Sequence, residues 1–160
     1  MAYVLFISET KLKDSTAINL NVSVDLLLPF VKEAQKLYVE TALGTDLTQH
    51  LKDEIIAGTL AGADKTLVDE YIGDMLPGYS LYHAIPYLRH KIENGNIYSK
   101  TSETGNPLTT EESQSFREEI LNTASYYRER MIDYIRNNTG SLPEYKQNSG
   151  ADVTPDRDSY

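Results

Sequence analysis

The chain has 160 residues, of which 24 are acidic and 15 basic, so its formal net charge is −9. A chain of this length forms one domain with a sizeable core, and an acidic surface repels nucleic-acid phosphates rather than collecting them. The absence of cysteine excludes disulfides, thiolate metal ligands and cysteine nucleophiles. The first residues lack the basic region of a signal peptide, and no apolar run approaches the roughly 18 residues that a membrane span needs.

The N-terminal residues read as a short strand followed by a single helical turn. Ala2–Ile7 is rich in residues that favour β-structure, and Ser8 is placed to cap a turn over residues 9–13. An isolated strand needs partners for its backbone N–H and C=O groups. It could add to the sheet of a neighbouring subunit, pair with Ile97–Lys100 of its own chain, or lie in a groove between helices.

Three helices are predicted in the central part of the chain. The first begins at Ser23 or Asn21 and ends at Gly44, and the second runs from a Thr45 cap to Gly58. The third begins near Lys65, should break or kink at 77–78 (Pro-Gly), and resumes as far as Ile92. The inward stripe of the first helix is Leu27, Phe30, Val31, Ala34, Leu37, Tyr38 and Ala42.

The longest predicted helix covers 109–138. Thr109 and Glu112 have the spacing of a capping box, and no Pro or Gly follows until Gly140. Apolar residues recur in steps of three and four, at Phe116, Ile120, Ala124, Tyr127, Met131, Tyr134 and Ile135. The Tyr127 ring is expected to be buried against the first or third helix.

The predicted fold is therefore all-α, with four to five helices around one long C-terminal helix. A minor β element is expected from residues 2–7 and 97–100, and both chain ends are expected to be extended arms. The predicted divisions are an N-terminal arm over 1–22, a helical domain over 23–145 and a polar tail over 146–160.

No motif in the chain points to catalysis. His50, His83 and His90 lack the spacing of a metal site, and adjacent carboxylates such as Glu118 and Glu119 diverge by about 100° on a helix, so they do not face one pocket. Nucleotide-binding loops and nucleophile motifs are also missing from the sequence. We therefore expect no enzyme activity, no catalytic or cofactor-binding residue, no cofactor and no bound metal.

Four features together carry a resemblance to a known family. The first is the predicted helix over 21–44, with Leu28-Pro29 inside it and Leu43-Gly44 at its end, and the second is the Pro77-interrupted helix that ends in 86–95. The third is the Ser/Thr-rich loop before the long helix that contains 124–128 (Ala-Ser-Tyr-Tyr-Arg). The fourth is 142–145 (Leu-Pro-Glu-Tyr). In this order they resemble the small helical head–tail connector proteins of tailed bacteriophages, in particular those of crass-like phages. The resemblance covers residues 5–145.

The resemblance implies a structural function without catalysis. In such families about twelve copies form a ring beneath the portal protein, contact other connector or tail proteins, and continue the channel through which genomic DNA passes without specific binding. The implied location is the virion, assembled in the bacterial host cytoplasm. The alternative is a small oligomeric adaptor or regulatory protein that binds host proteins.

Residues for a partner interface are taken from the two chain ends and the second predicted strand. The chain has 12 Tyr against 3 Phe and no Trp, and tyrosine suits contact surfaces because its ring is apolar and its hydroxyl is polar. Both termini are expected to run along neighbouring proteins as arms. The predicted interface residues are Tyr3, Leu5, Ile7, Tyr98, Leu142 and Tyr145.

Overall fold

The computed structural model describes residues 3–15, 24–88, 90–93, 96–99 and 109–145, with the two strands described as backbone only. This part of the chain contains five helices and one hairpin. α1 is Glu9–Asp14, α3 is Thr45–Ala57 and α5 is Thr110–Asn137. α2 consists of Val24–Ala34, a π-helical turn Gln35–Glu40 and a last turn Thr41–Leu43. α4 consists of Gly62–Thr66, a π-helical turn Leu67–Ile72 and Gly73–Leu88. The predicted all-α class with a long C-terminal helix is confirmed.

Several helix ends follow the local sequence signals. The Ser8 side chain accepts a hydrogen bond from the Lys11 N–H at the start of α1, as predicted. Gly44 and Gly58 end α2 and α3 with φ of 79° and 70°, a region in which glycine carries no steric penalty. The predicted Thr45 cap is wrong, because Gly44 is the N-cap of α3 and this helix start has no side-chain capping hydrogen bond.

The predicted break at Pro77 does not occur. α4 stays helical through Pro77 and Pro86 to Leu88. Pro77 has no N–H to bond the carbonyl of Gly73, and its ring crowds that carbonyl. The π-helical turn ends at Ile72, immediately before Gly73, so the wider turn lies where the proline disturbs the α-helical bonding.

The β-structure of the described residues is a single antiparallel hairpin. β1, His90–Glu93, pairs with β2, Asn96–Ser99, in a register that sets Ile92 opposite Ile97. The helix predicted to reach Ile92 therefore ends earlier, at Leu88. The strand predicted at Ala2–Ile7 is also wrong for the part that is described, since residues 3–7 belong to no strand.

The core lies where α4 packs between α2 and α5. Gly78 of α4 allows close approach to α5, because a Cβ at this position would lie 3.0 Å from the Cβ of Ala124. The most completely buried side chains come from all parts of the described chain: Leu12, Leu27, Leu43, Leu47, Leu51, Leu67, Ile72, Met75, Leu76, Met131, Ile135 and Leu142. One continuous core therefore holds the helices together.

The long helix α5 has the predicted start but only part of the predicted buried face. The capping box of Thr109 and Glu112 is present, with both reciprocal hydrogen bonds. Phe116, however, is 42% exposed, which corrects the predicted stripe. Tyr127 is half-buried and packs against the edge of the core, so its ring is less covered than predicted.

Candidate subunit interface

The N-terminal segment, residues 3–8, is held by a side chain of its own domain. The Phe6 N–H donates to Gln35 Oε1 at 2.8 Å, and Gln35 Nε2 donates to the Val4 carbonyl at 2.9 Å. Gln35 is fully buried in the π-helical turn of α2, and Phe6 and Ile7 are buried in the core. The side-chain amide of Gln35 thus bonds a backbone N–H and a backbone carbonyl of the segment, as a neighbouring strand would. Of the alternatives left open by the sequence, residues 3–7 lie in a groove of their own helices.

A charged network continues this contact. The Tyr3 hydroxyl donates to a Glu40 carboxylate oxygen, which also accepts from Lys52 Nζ at 2.7 Å. Glu40 lies five residues after Gln35, and the π-helical turn brings their side chains to 3.3 Å. Burial raises the pKa of Tyr3. Burial also acts to raise the pKa of Glu40, but hydrogen bonds from Lys52, Tyr3 and Gln35 hold it below its ordinary value.

The structure places the predicted interface residues differently from one another. Tyr3 and Leu5 are half-buried at the edge of the N-terminal segment. Ile7, Leu142 and Tyr145 are core residues, so in this conformation they offer no surface to a partner. Tyr98 lies in β2 opposite Lys91. Residues 3–7 therefore pack against their own domain instead of forming the predicted extended arm. The predicted arm over 146–160 lies outside the described residues.

A buried aromatic contact joins the three main helices. The rings of Tyr38 and Tyr79 stack with centroids 3.8 Å apart, and the Tyr38 hydroxyl lies 2.9 Å from His83 Nε2. Arg128 of α5 donates to the Tyr38 carbonyl at 3.0 Å. Burial raises the pKa of both tyrosines. These groups fix the helices relative to one another and leave His83 with a structural partner.

His50 joins α3 to the C-terminal turns of the described chain. Its Nε2 lies 3.0 Å from Asp64 Oδ2, and its Nδ1 lies 3.7 Å from Glu144 Oε1. The hydrogen bond to Asp64 raises the pKa of His50, burial opposes this shift, and the charges of Glu144, Asp64 and Glu54 add to it. Among the residues described, no group of three or more His, Asp or Glu could hold a metal ion.

The first apolar surface, the α2 flank, is defined by Leu26, Phe30, Leu37 and Tyr87. Leu26, Phe30 and Leu37 follow one another by four and seven residues along α2, a spacing that keeps them on one helix face. Leu26 is 61% exposed, Leu37 is exposed, and Tyr87 is 60% exposed. The Tyr87 ring lies 5.0 Å from that of Phe30, so the end of α4 extends the same surface.

The second apolar surface, the α5 flank, consists of Tyr126 and the groove between α4 and α5. Tyr126 is 58% exposed, and its ring meets Tyr127 edge-on at 5.7 Å. Beside it a groove of about 360 Å³ runs between α4 and α5, lined by apolar atoms of Leu81, Phe116, Ile120 and Tyr127. Sequence reasoning missed Leu26, Tyr87 and Tyr126. The one feature of the sequence that could have indicated them is that each is an apolar residue outside the predicted buried face of its helix.

The fold and these surfaces define a small helical domain that exposes large apolar side chains on two flanks, and Ile56 of α3 is exposed as well. Residues 39–155, most of the chain, match a family of unknown function (DUF6712), and the chain belongs to this family. No curated protein and no solved structure shows a significant match. Within the described part of the chain, no helix is long and apolar enough to cross a membrane.

Proposed function

We propose that this protein is a structural subunit of a head–tail connector ring in a tailed phage virion, where it joins the capsid portal to the tail. The observation that carries the proposal is the presence of exposed apolar side chains on two different surfaces, the α2 flank and the α5 flank. Contiguous exposed apolar surface is typical of protein contact sites. The resemblance of residues 5–145 to connector proteins supplies the identity of the assembly.

Two different flanks suit a ring better than a two-fold dimer. In a two-fold contact the same surface meets itself, whereas a head-to-tail contact joins two different surfaces and closes into a ring when the rotation permits. Leu26 of α2 and Tyr87 at the end of α4 belong to one surface, and Tyr126 of α5 belongs to the other. Each copy would then present its α2 flank to the α5 flank of the next copy.

The charge of the chain suits a channel through which DNA moves. A net charge of −9 gives a surface that repels phosphate, so DNA slides past without being retained. In the proposed function the partners are further copies of this chain, the portal protein, neighbouring connector or tail proteins and passing genomic DNA.

Native mass spectrometry and negative-stain imaging of the purified protein test this proposal. The expected result is a closed ring of defined copy number at high protein concentration. A monomer at all concentrations, together with capture of host proteins, would favour the adaptor alternative instead.

A DNA-binding measurement provides a second test. The protein is expected to bind duplex DNA weakly or not at all even at low salt, because acidic surfaces repel phosphate. Submicromolar binding that weakens steeply with salt would contradict the channel function and indicate a nucleic-acid-binding protein.

A further inference from the structure

The ring of Tyr3 lies among three lysine side chains. The Nζ atoms of Lys52, Lys32 and Lys36 lie 4.5, 4.9 and 5.3 Å from the ring centroid. An aromatic face attracts a nearby cation, and this ring is itself held in place because the Tyr3 hydroxyl donates to Glu40. Three positive charges therefore share one small surface of a chain whose net charge is −9.

Only one of these three lysines has a carboxylate partner. Lys52 donates to Glu40 at 2.7 Å, whereas the ion pairs among the described residues include neither Lys32 nor Lys36. These two, the lysine pair, are exposed and lie four residues apart on α2, a spacing at which like charges repel. Carboxylates brought by another molecule would relieve this repulsion. Ammonium groups already positioned by an aromatic ring also lose less freedom on binding.

The lysine pair is continuous with the α2 flank. Glu33, which is exposed, lies three residues before Lys36 and four before Leu37, and residues three or four apart are neighbours on a helix surface. Glu33 and Asp25, in the first turn of α2, carry the opposite charge. The excess of positive charge is therefore local to the part of α2 that faces Tyr3.

The α5 flank carries the complementary charge. Glu119 lies seven residues before Tyr126 and Asp133 seven residues after it, so the three share one face of α5. Both carboxylates are exposed, and neither takes part in an ion pair with another described residue. The basic neighbour, Arg130, lies over the ring of Tyr71 at 6.0 Å. The apolar centre of this flank is thus bordered by carboxylates.

We propose that the lysine pair binds Glu119 and Asp133 of the next copy, so that charge fixes the orientation of the subunit contact. The inference rests on the proposed function, because it names the side chains that meet in the head-to-tail contact. Opposite charges on two surfaces select the partner and set the register of an interface. A two-fold contact through the α2 flank would instead bring two lysine pairs together, which disfavours self-pairing.

Charge reversal in the full-length protein tests this pairing. Lys32→Glu/Lys36→Glu should raise the protein concentration for half-assembly about tenfold or more at roughly 0.1 M salt, since like charges then face each other. Glu119→Lys/Asp133→Lys should have the same effect. The chain with all four substitutions again presents opposite charges at every contact and should assemble at nearly the original concentration. Native mass spectrometry over a concentration series measures all three variants.

Two further variants separate charge pairing from general effects on charge or folding. Lys13→Glu/Lys65→Glu makes the same change in net charge at lysines that are already paired with carboxylates of their own helices, and should leave assembly nearly unchanged. Glu33→Lys removes the opposing charge beside the lysine pair and should lower the half-assembly concentration, a gain that misfolding does not produce. These differences should shrink at about 1 M salt, where charges are screened within roughly 3 Å.

The outcomes distinguish this inference from the proposed function. Unmodified protein that forms rings, together with unimpaired rings of Lys32→Glu/Lys36→Glu, would overturn the charge pairing alone. Failure of the fourfold variant to assemble would also overturn it, because the lysine pair would then meet a different surface. A monomer of the unmodified protein at every concentration would reject both. Duplex DNA binding that disappears with Lys32→Glu/Lys36→Glu while rings persist would assign the lysine pair to nucleic acid instead.

Discussion

The two halves of α5 have the same apolar spacing but different surroundings. Between 124 and 137 the buried side chains include Met131, Ile132 and Ile135, which pack into the core. Between 110 and 123 only Ser113 is buried, and Phe116 lies in an open groove. The period of an apolar pattern thus identifies a helix and its candidate inner face. It does not tell which element covers that face, because the covering residues come from distant parts of the chain.

The largest expected effect is on the buried half. Met131 is completely buried, and Met131→Ala should lower the free energy of unfolding by about 2–5 kcal/mol, because it removes apolar contacts and leaves a cavity. Tyr126→Ala, on the exposed side of the same helix, should change it by only about 0.5 kcal/mol. Urea unfolding of both variants measures the difference. Similar losses from the two would show that the buried half of α5 is wrongly assigned.

The next effect concerns the N-terminal segment. Gln35→Leu removes the partners of the Phe6 N–H and the Val4 carbonyl, and leaving buried backbone groups unsatisfied costs about 1–3 kcal/mol. Gln49→Leu is the control, because Gln49 bonds Asp53 on an exposed face of α3. Hydrogen exchange of residues 3–8 should accelerate in the Gln35 variant alone. Unchanged protection there would mean that the side-chain amide does not hold the segment.

These examples also show what the sequence could and could not predict. Several signals that act within one helical turn predicted the structure, as with the Thr109 capping box and the Gly44 and Gly58 helix ends, although the Thr45 cap did not. The strand assigned to 2–7 failed because its hydrogen-bond partner is a side chain 29 residues away from Phe6. The break considered at Pro77 is absent, since the helix continues to Leu88, and the π-helical turn that ends at Ile72 has no recognisable local sequence signal.

A smaller effect is expected at the crossing of α4 and α5. Gly78→Ala would set a methyl group 3.0 Å from the Ala124 Cβ, and overpacking of this kind costs about 1–3 kcal/mol. The higher helix propensity of alanine offsets about 0.5–1 kcal/mol of this cost. Thermal unfolding should therefore show a net decrease of roughly 1 kcal/mol in the free energy of unfolding. Gly140→Ala, with no atom within 4 Å of the added Cβ, serves as the control. Stabilisation by Gly78→Ala would contradict the close crossing.

The smallest effect depends on pH. Because the Asp64 bond raises the folded-state pKa of His50, its contribution to stability is fully present below the unfolded pKa of about 6.5. That contribution is lost as pH rises through the folded-state value. His50→Gln should therefore cost about 0.2–1 kcal/mol at pH 5 and less at pH 9. Glu118→Gln, an exposed change on α5, should show no such difference. A larger cost at pH 9 would contradict the assignment.

The most direct test of the central claim mixes two variants that each lack one flank. A Leu26→Asp/Leu37→Asp variant loses the α2 flank, and a Tyr126→Asp variant loses the α5 flank. In a head-to-tail assembly neither variant associates with itself, but the mixture keeps one intact contact and stops at a heterodimer. Native mass spectrometry should therefore show monomers for each variant alone, heterodimers for the mixture and rings for the unmodified protein. A homodimer formed by either variant alone would contradict the account, because it would show that one flank pairs with itself.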